Sequence, residues 1–190
     1  MQLYGSFTSP YVRHCRIALI EGGIEFEFVE TDYAASARLT PTRRVPFLKD
    51  GNLLLTDSAS ILRHIRETSR RPFLQTVEQA DLFAMVNTAM DSTVNLFLLE
   101  RDGITPAQSP YLQRQADRVQ DILNDLNERL LAMNDQPSQN RLNDALLRLG
   151  CFLDWARFRQ RIDPARYSAL QRFLDQLAPW PPFVATRPRL

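Results

Sequence analysis

The stretch from Thr8 to Arg13 carries the residue types best suited to chemistry in this chain. It follows a short apolar segment, Gln2–Tyr4, and opens a predicted helix that ends at Gly22-Gly23. Serine favours the N-cap position of a helix, and proline fits the first helical position, so Ser9 and Pro10 mark the start. A hydroxyl is therefore held where the unpaired N–H groups of the first turn point outward. This arrangement suits an anion, and a thiolate is an anion.

Two interpretations of Ser9 stay open at this point. A serine N-cap contributes about 1 kcal/mol to helix stability, and that role alone accounts for the residue. The alternative is that its hydroxyl stabilises a bound thiolate, because lowering a thiol pKa by about two units requires roughly 2.7 kcal/mol. A helix N-terminus supplies up to ~2 kcal/mol, and a hydrogen bond to a charged group supplies ~1.5–3. The neighbouring Thr8 is able to share or replace this role.

Composition excludes several classes of protein. The 190 residues fit one large domain or two small ones, and the net charge of +1 recommends neither nucleic acid nor a charged membrane as a partner. We expect no signal peptide, because the N-terminus lacks a basic segment followed by an apolar run. We expect no membrane span, because no apolar run approaches about 20 residues. Cys15 and Cys151 belong to no CxxC or Cys/His pattern, which argues against a metal site and predicts reduced thiols in the cytoplasm.

The first part of the chain mixes strand and helix patterns. Four segments are predicted strands: Gln2–Tyr4, Glu25–Glu30, Pro46–Lys49 and Leu53–Leu55. Two are predicted helices: Pro10–Glu21 and Ser58–Thr68. The order is β-α-β, an irregular stretch, then β-β-α, with Asp50-Gly51 as the hairpin turn. A parallel pair extended by an antiparallel hairpin is the thioredoxin-like architecture, an α/β fold.

From Gln75 onward the pattern is helical throughout. The predicted helices lie near Val77–Glu100, Pro110–Met133, Leu142–Arg159 and Pro164–Leu177. Breakers fall at Gly103 to Pro110, at Asn134 to Asn140 and at Asp163-Pro164. We therefore divide the chain into an α/β domain (1–71), a linker (72–74) and an all-helical domain (75–190), whose proline-rich tail from Pro179 to Leu190 is expected to be extended.

Several segments together resemble a bacterial glutathione S-transferase of the cytosolic superfamily. The matching segments are Leu3-Tyr4-Gly5, Thr8 to Arg13, Val45-Pro46-Phe47-Leu48, Thr56-Asp57-Ser58 with Ile61, Gly150-Cys151, Leu153-Asp154-Trp155 and Phe158-Arg159. Each segment alone is weak evidence for the family. Their order and spacing make the resemblance strong, and it extends over essentially the whole chain. The resemblance implies that glutathione is bound as a substrate, without a metal, and that Ser9 holds its sulfur.

The resemblance also assigns binding residues. It implies a cis peptide bond at Val45-Pro46, whose exposed backbone pairs with the cysteinyl part of glutathione like an added strand. The plain alternative is a proline at the start of an edge strand. The preceding segment, Thr40 to Arg44, lacks the glycine that the family often has, and Arg43 and Arg44 are candidates for the glycyl carboxylate.

A second part of the resemblance concerns Asp57-Ser58. It implies that Ser58 caps the following helix and receives the γ-glutamyl carboxylate, while Asp57 takes the ammonium group. The alternative is capping alone. Tyr33 and Asp32, in the irregular stretch, are candidates to line the ligand.

Two classes of function follow. The first is an enzyme that conjugates glutathione to a small electrophile bound against the helical domain, as a cytoplasmic homodimer in detoxification. The second is a non-catalytic relative of the stringent-starvation type. Omega-like relatives have Cys-Pro where this chain has Ser9-Pro10, so thiol–disulfide exchange is not expected. Cys15 is expected to be a buried hydrophobe, and His14 and His64 to lie at the surface.

Overall fold

The computed structural model describes residues 1–133 and 142–189 of the 190-residue chain. The chain forms two compact units. One comprises Met1–Gln75 together with the tail from Ala178, and the other comprises Thr76–Leu177. The tail from Ala178 was expected in the helical domain, but it groups with the α/β unit.

A four-stranded mixed sheet forms the centre of the first unit. Its strands are β1 (Gln2–Gly5), β2 (Glu27–Glu30), β3 (Phe47–Asp50) and β4 (Leu53–Leu55). They lie in the order β2-β1-β3-β4, with β1 parallel to β2 and antiparallel to β3, and β3 antiparallel to β4. The predicted thioredoxin-like fold is confirmed, including the parallel pair and the hairpin. In the hairpin turn Gly51 takes the left-handed conformation, with φ 56°.

The helices of this unit are α1 (Pro10–Glu21), α2 (Tyr33–Leu39), α3 (Ser58–Thr68) and, from the tail, α8 (Pro181–Ala185). The bounds of α1 and α3 are those predicted. Helix α2 corrects the expected irregular stretch, and α8 corrects the expected extended tail. Only Ser36 of α2 is buried, so this helix has no apolar stripe that a periodicity search detects.

Gly5 fixes how closely α1 approaches the sheet. A Cβ added at Gly5 would lie 2.5 Å from one Val12 methyl carbon and 2.7 Å from the other. Glycine therefore lets the end of β1 and the first turn of α1 touch, which sets the position of the α1 N-terminus. At the other end, Gly22 is the C-cap and Gly23 takes the left-handed conformation, at φ +61°.

The core of the first unit holds one residue that we expected at the surface. Leu3, Val12, Cys15 and Leu48 are fully buried, as a thioredoxin-like core requires. His14 is also fully buried, which corrects its predicted surface location. Its arginine neighbours in the sequence, Arg13 and Arg16, were the reason for expecting it at the surface.

The second unit is all helical over its described residues. Its helices are α4 (Val77–Arg101), α5 (Pro110–Ala132), α6 (Asp144–Phe158) and α7 (Ser168–Leu177), with a 3-10 turn at Pro164–Arg166. Helix α6 is buried along almost its whole length, and Asn143 caps it by accepting from Ala145 and Leu146 N–H, both at 3.0 Å. The breaker predicted at Asn134 to Asn140 lies outside the described residues.

Helix α4 is long and apolar enough to cross a membrane by length and composition alone. It packs against α5 and α6 in the second unit, as a core helix of a globular domain does.

Candidate active site

The sheet topology brings all the predicted site segments of the first unit to one end of the strands. We call this end the carboxyl edge, because the parallel strands β1 and β2 terminate there. Because β2 is parallel to β1, the segment after β2 emerges at the same end as the segment after β1. Because β3 is antiparallel to β1 and to β4, its start and the end of β4 lie there too. Tyr33, Ser9, Val45 and Asp57 therefore follow one another along this edge, in the strand order β2-β1-β3-β4.

Ser9 is the N-cap of α1, as predicted. Its Oγ accepts a hydrogen bond from the Val12 N–H at 3.3 Å, and its own N–H donates to the Ser6 carbonyl at 3.1 Å. A hydroxyl has one donor and two acceptor lone pairs. The cap uses an acceptor site and leaves the O–H donor available to a ligand. Capping and thiolate stabilisation are thus compatible roles of the same hydroxyl.

Thr8 belongs to a small hydroxyl network that sequence reasoning missed. Its Oγ1 lies 3.0 Å from the Ser6 Oγ, and its N–H donates to that Oγ at 3.2 Å. Ser6 therefore holds Thr8 in the turn that precedes Ser9. The spacing of Ser6 and Thr8 in a turn is the sequence signal, since serine and threonine often bond to nearby backbone groups.

Val45-Pro46 has the predicted cis peptide bond. The ladder between β1 and β3 ends at the Tyr4–Phe47 pair, so Val45 lies just beyond it, at the carboxyl edge of the sheet. The loop before it turns through Arg43, which has a positive φ of 52°, and both Arg43 and Arg44 are exposed. Their suggested contact with a glycyl carboxylate stays a prediction.

The roles of Asp57 and Ser58 in the helix cap differ from those predicted. Asp57, not Ser58, is the N-cap of α3: its Oδ1 accepts from the N–H groups of Ala59 (2.9 Å) and Ser60 (3.0 Å). The Ser60 hydroxyl donates to the same Oδ1 at 3.3 Å, so Oδ2 takes no part in the cap. Ser58 is the first helical residue and is buried, with 8% exposure.

Tyr33 is the first residue of α2 and is 60% exposed, while Asp32 caps this helix through a 2.7 Å bond from Ala35 N–H. The cap fixes the Asp32 carboxylate within its own chain segment. Tyr33 therefore remains the candidate from this segment that presents a free surface.

Neither Cys15 nor Cys151 forms a disulfide and both are fully buried, which confirms the prediction for Cys15. Over residues 1–133 and 142–189, no cluster of His, Cys, Asp and Glu is arranged to hold a metal ion. A shallow concavity lined by Met1 and Ile24–Glu27 lies at the amino end of β1, opposite the edge that carries Ser9.

Comparisons with known proteins support the same fold and family. The sequence profile of the family "Glutathione S-transferase, N-terminal domain" matches residues 3–73. A probable glutathione S-transferase of rice (Oryza sativa subsp. japonica) is 29% identical over 119 residues, which span 59% of this chain and 52% of the rice protein. An uncharacterised glutathione S-transferase-like protein of Escherichia coli is 28% identical over 175 residues, 84% of each chain.

A solved structure shares the fold over the whole chain. It is a glutathione S-transferase from Methylobacterium radiotolerans, in complex with glutathione sulfonate, with a TM-score of 0.84 and 24% identity. The alignment covers 100% of this chain and 95% of that one.

Proposed function

We propose that this chain is a glutathione transferase of the serine type, because its residues 3–73 match the N-terminal domain family of the glutathione S-transferases and its fold is that of a solved glutathione S-transferase. In this proposal the carboxyl edge of the sheet binds glutathione, Ser9 stabilises its thiolate, and the sulfur attacks a small electrophile. The observation that carries the proposal is Ser9 at the N-cap of α1 with its O–H donor left over from the cap.

The dimensions of the sheet edge suit a tripeptide. Neighbouring strands are about 4.8 Å apart, so the step from β1 across β3 to β4 is roughly 10 Å. In glutathione the arm from the cysteinyl sulfur to the γ-glutamyl amine is lengthened by the glutamyl side chain, through which the peptide link runs. We therefore place the thiol at Ser9 and the γ-glutamyl end at Asp57, with Val45 between them to pair with the peptide backbone.

The α3 end is suited to the γ-glutamyl group, which carries both an ammonium and a carboxylate. The Oδ2 atom of Asp57, which the cap does not use, is the proposed acceptor for the ammonium. Ser58, at the first helical position, is the proposed donor to the carboxylate at the positive helix end. Tyr33 is proposed to line the opposite side of the ligand.

The chemistry requires only a lower thiol pKa. A thiol with a pKa near 8.5 is a few per cent ionised near neutral pH, and lowering this value by about two units needs roughly 2.7 kcal/mol. The Ser9 O–H and the α1 N-terminus together supply that amount. The thiolate forms a carbon–sulfur bond with the electrophile, the leaving group departs with its electron pair, and the thiol proton goes to solvent.

The remaining parts of the proposal concern the surroundings of the site. The helical unit Thr76–Leu177 is proposed to contribute the electrophile side, and the protein to work as a cytoplasmic homodimer in detoxification. A glutathione-binding protein without transferase activity is the competing outcome.

Two substitutions test the role of Ser9. Ser9→Gly removes the hydroxyl but costs only a few tenths of a kcal/mol in capping, whereas Ser9→Ala costs about 1 kcal/mol. We expect thiolate absorbance of bound glutathione to titrate about one to two pH units higher in both variants. Conjugation should fall about tenfold near neutral pH and approach the wild-type rate in alkaline buffer, where the thiol ionises unaided.

Calorimetry with glutathione separates the two classes of function. Wild-type protein that binds glutathione but conjugates no generic electrophile is a binding protein, and wild-type protein that binds none refutes the site. An unchanged thiolate titration in Ser9→Gly would assign the sulfur contact to Thr8 or to backbone N–H groups.

A further inference from the structure

Two arginines share one aromatic ring beside the Ser9 loop. The Arg189 guanidinium carbon lies 4.0 Å from the Phe7 ring centroid, and that of Arg16 lies 4.9 Å from the same centroid. Arg16 also lies 5.2 Å from the ring centroid of Phe28, whose ring is 4.5 Å from that of Phe7. These four residues, the Phe7 cluster, come from the β1–α1 loop, α1, β2 and the tail.

The Phe7 cluster concentrates positive charge. Since both distances end at the Phe7 centroid, the two guanidinium carbons are at most about 9 Å apart, which is close to the ~8–10 Å screening length of physiological salt. Within the described residues, neither arginine forms an ion pair with a carboxylate, and the polar contact of Arg16 is to the Ala185 carbonyl at 3.4 Å. Burial, with the charges of Arg189 and Arg13, lowers the pKa of Arg16 to about 10.

Two other arginines of this unit, one buried and one exposed, are paired with a carboxylate. Arg66, on α3, donates to the Glu21 carboxylate at 2.8 Å, and Arg71 approaches the other oxygen of the same carboxylate at 3.5 Å. Packing of arginine on an aromatic ring explains the stacking of Arg16, but it gives the adjacent cations Arg16 and Arg189 no carboxylate partner among residues 1–133 and 142–189. A bound anion would supply the missing negative charge.

The location of the cluster links it to the proposed reaction. Phe7 precedes Ser9 by two residues, in the loop that leaves β1 at the carboxyl edge of the sheet. An aromatic acid bound beside this loop would have its carboxylate within reach of both guanidinium groups, whose planar fork matches carboxylate geometry. Its ring would then lie beside the loop that carries the proposed sulfur contact.

We propose that the Phe7 cluster is a binding site for the carboxylate of an aromatic electrophile, so that this enzyme prefers anionic aromatic acceptors over neutral ones. This inference rests on the proposed transferase function for its catalytic consequence, although the binding site itself does not. With a chlorodinitrobenzoate acceptor, the glutathione sulfur bonds to the ring carbon, chloride leaves with the bonding electrons, and the thiol proton passes to solvent.

The first experiment measures binding without catalysis. Fluorine NMR of para-fluorobenzoate and of para-fluorobenzamide reports affinity for two ligands that differ in charge at one end. We expect wild-type protein, with glutathione present, to bind the benzoate at least about tenfold more tightly, as a charge-assisted pair requires. Arg189→Gln and Arg16→Lys should remove most of this preference, because one deletes a charge and the other deletes the planar fork.

Arg187→Gln is the matched control, because Arg187 is an exposed arginine of the same tail that bonds to the Ala178 carbonyl. It should leave the benzoate preference intact. Equal affinity for the two probes in wild-type protein, or an unchanged preference in Arg189→Gln, would overturn the site. Because both arginines pack on Phe7, circular dichroism checks that Arg189→Gln and Arg16→Lys keep the wild-type fold.

The second experiment measures the ratio of kcat/KM for chlorodinitrobenzoate to that for chlorodinitrobenzene. We expect this ratio to fall about tenfold in Arg189→Gln relative to wild type and Arg187→Gln. A ratio that is the same in all three proteins would refute the role in substrate choice. Conversion of neither compound by wild-type protein, with benzoate binding retained, would refute the transferase function and leave the anion site standing.

Discussion

The two helices that begin at the carboxyl edge of the sheet have opposite electrostatic character. Helix α1 is capped by the neutral hydroxyl of Ser9, so its N-terminus keeps the partial positive charge of about half a unit that a helix end carries. Helix α3 is capped by the carboxylate of Asp57, which outweighs that partial charge. The N-terminus of α1 therefore attracts an anion. The N-terminus of α3 attracts a cation, next to first-turn N–H groups that the cap does not use.

This difference shows that the cap residue sets the charge at a helix N-terminus. Both caps satisfy the same backbone need, an acceptor for the N–H groups of the first turn. The charge of the cap residue does not depend on this backbone need, and it differs between Ser9 and Asp57. Glutathione carries a thiolate in its middle and a zwitterionic γ-glutamyl end, and the two caps are complementary to these two groups in the proposed orientation.

Substituting Asp57 should have the largest effect on the difference in charge between the N-termini of α1 and α3. Asp57→Asn keeps an equally good cap but removes the negative charge. We expect glutathione affinity to fall about 10–100-fold, since a hydrogen bond to a charged group contributes ~1.5–3 kcal/mol. Calorimetry measures the loss, and Ser58→Ala, which leaves the Asp57 charge in place, should weaken binding less. Wild-type affinity in both variants would remove the γ-glutamyl group from this end.

The substitution Ser9→Cys should make the difference between the N-termini of α1 and α3 easier to measure. In Ser9→Cys a thiol stands at the positive end of α1, where its pKa falls and its thiolate becomes reactive. We expect reduction of a glutathione mixed disulfide to rise about tenfold or more over the wild-type rate. Cys15→Ala is the control, because Cys15 is fully buried within the helix. Brisk wild-type exchange that Cys15→Ala abolishes would make Cys15 the functional thiol.

The smallest effect separates capping from charge. Asp57→Ala should lose about 1 kcal/mol more of unfolding free energy than Asp57→Asn, while both lose similar glutathione affinity. Urea denaturation of the two variants measures this difference. Equal stabilities would mean that the Oδ1 bonds to Ala59 and Ser60 contribute nothing in solution.

Local signals on the sequence were enough for most of the elements. The bounds of α3, Ser58–Thr68, follow from apolar residues on one face and a cap-type residue before them. The same signal could not say which of Asp57 and Ser58 is the cap, because both residue types favour that position. The choice depends on where the chain enters from β4, which is a tertiary fact.

Features that depend on distant contacts were beyond sequence reasoning. The stretch Thr31–Leu39 lacks apolar periodicity, and α2 forms there on an Asp32 cap and alanine-rich helix formers. The tail looked extended because of its prolines, yet two of them occupy the first turn of α8. The Phe7 cluster joins residues from four separate segments, so no local sequence pattern predicts it.

The anchoring of the tail has a consequence for how this protein is made. The buried Arg13 guanidinium lies 3.7 Å from the Phe183 ring centroid and donates to the Phe183 carbonyl at 2.9 Å, across a sequence separation of 170 residues. A ribosome emits the sheet and α1 long before it emits Phe183. The nascent α/β unit therefore waits with Arg13 uncovered until the helical unit has been synthesised, and a high contact order of this kind slows folding. The α/β unit, whose sheet is synthesised first, can therefore complete its folding only after its tail has been synthesised.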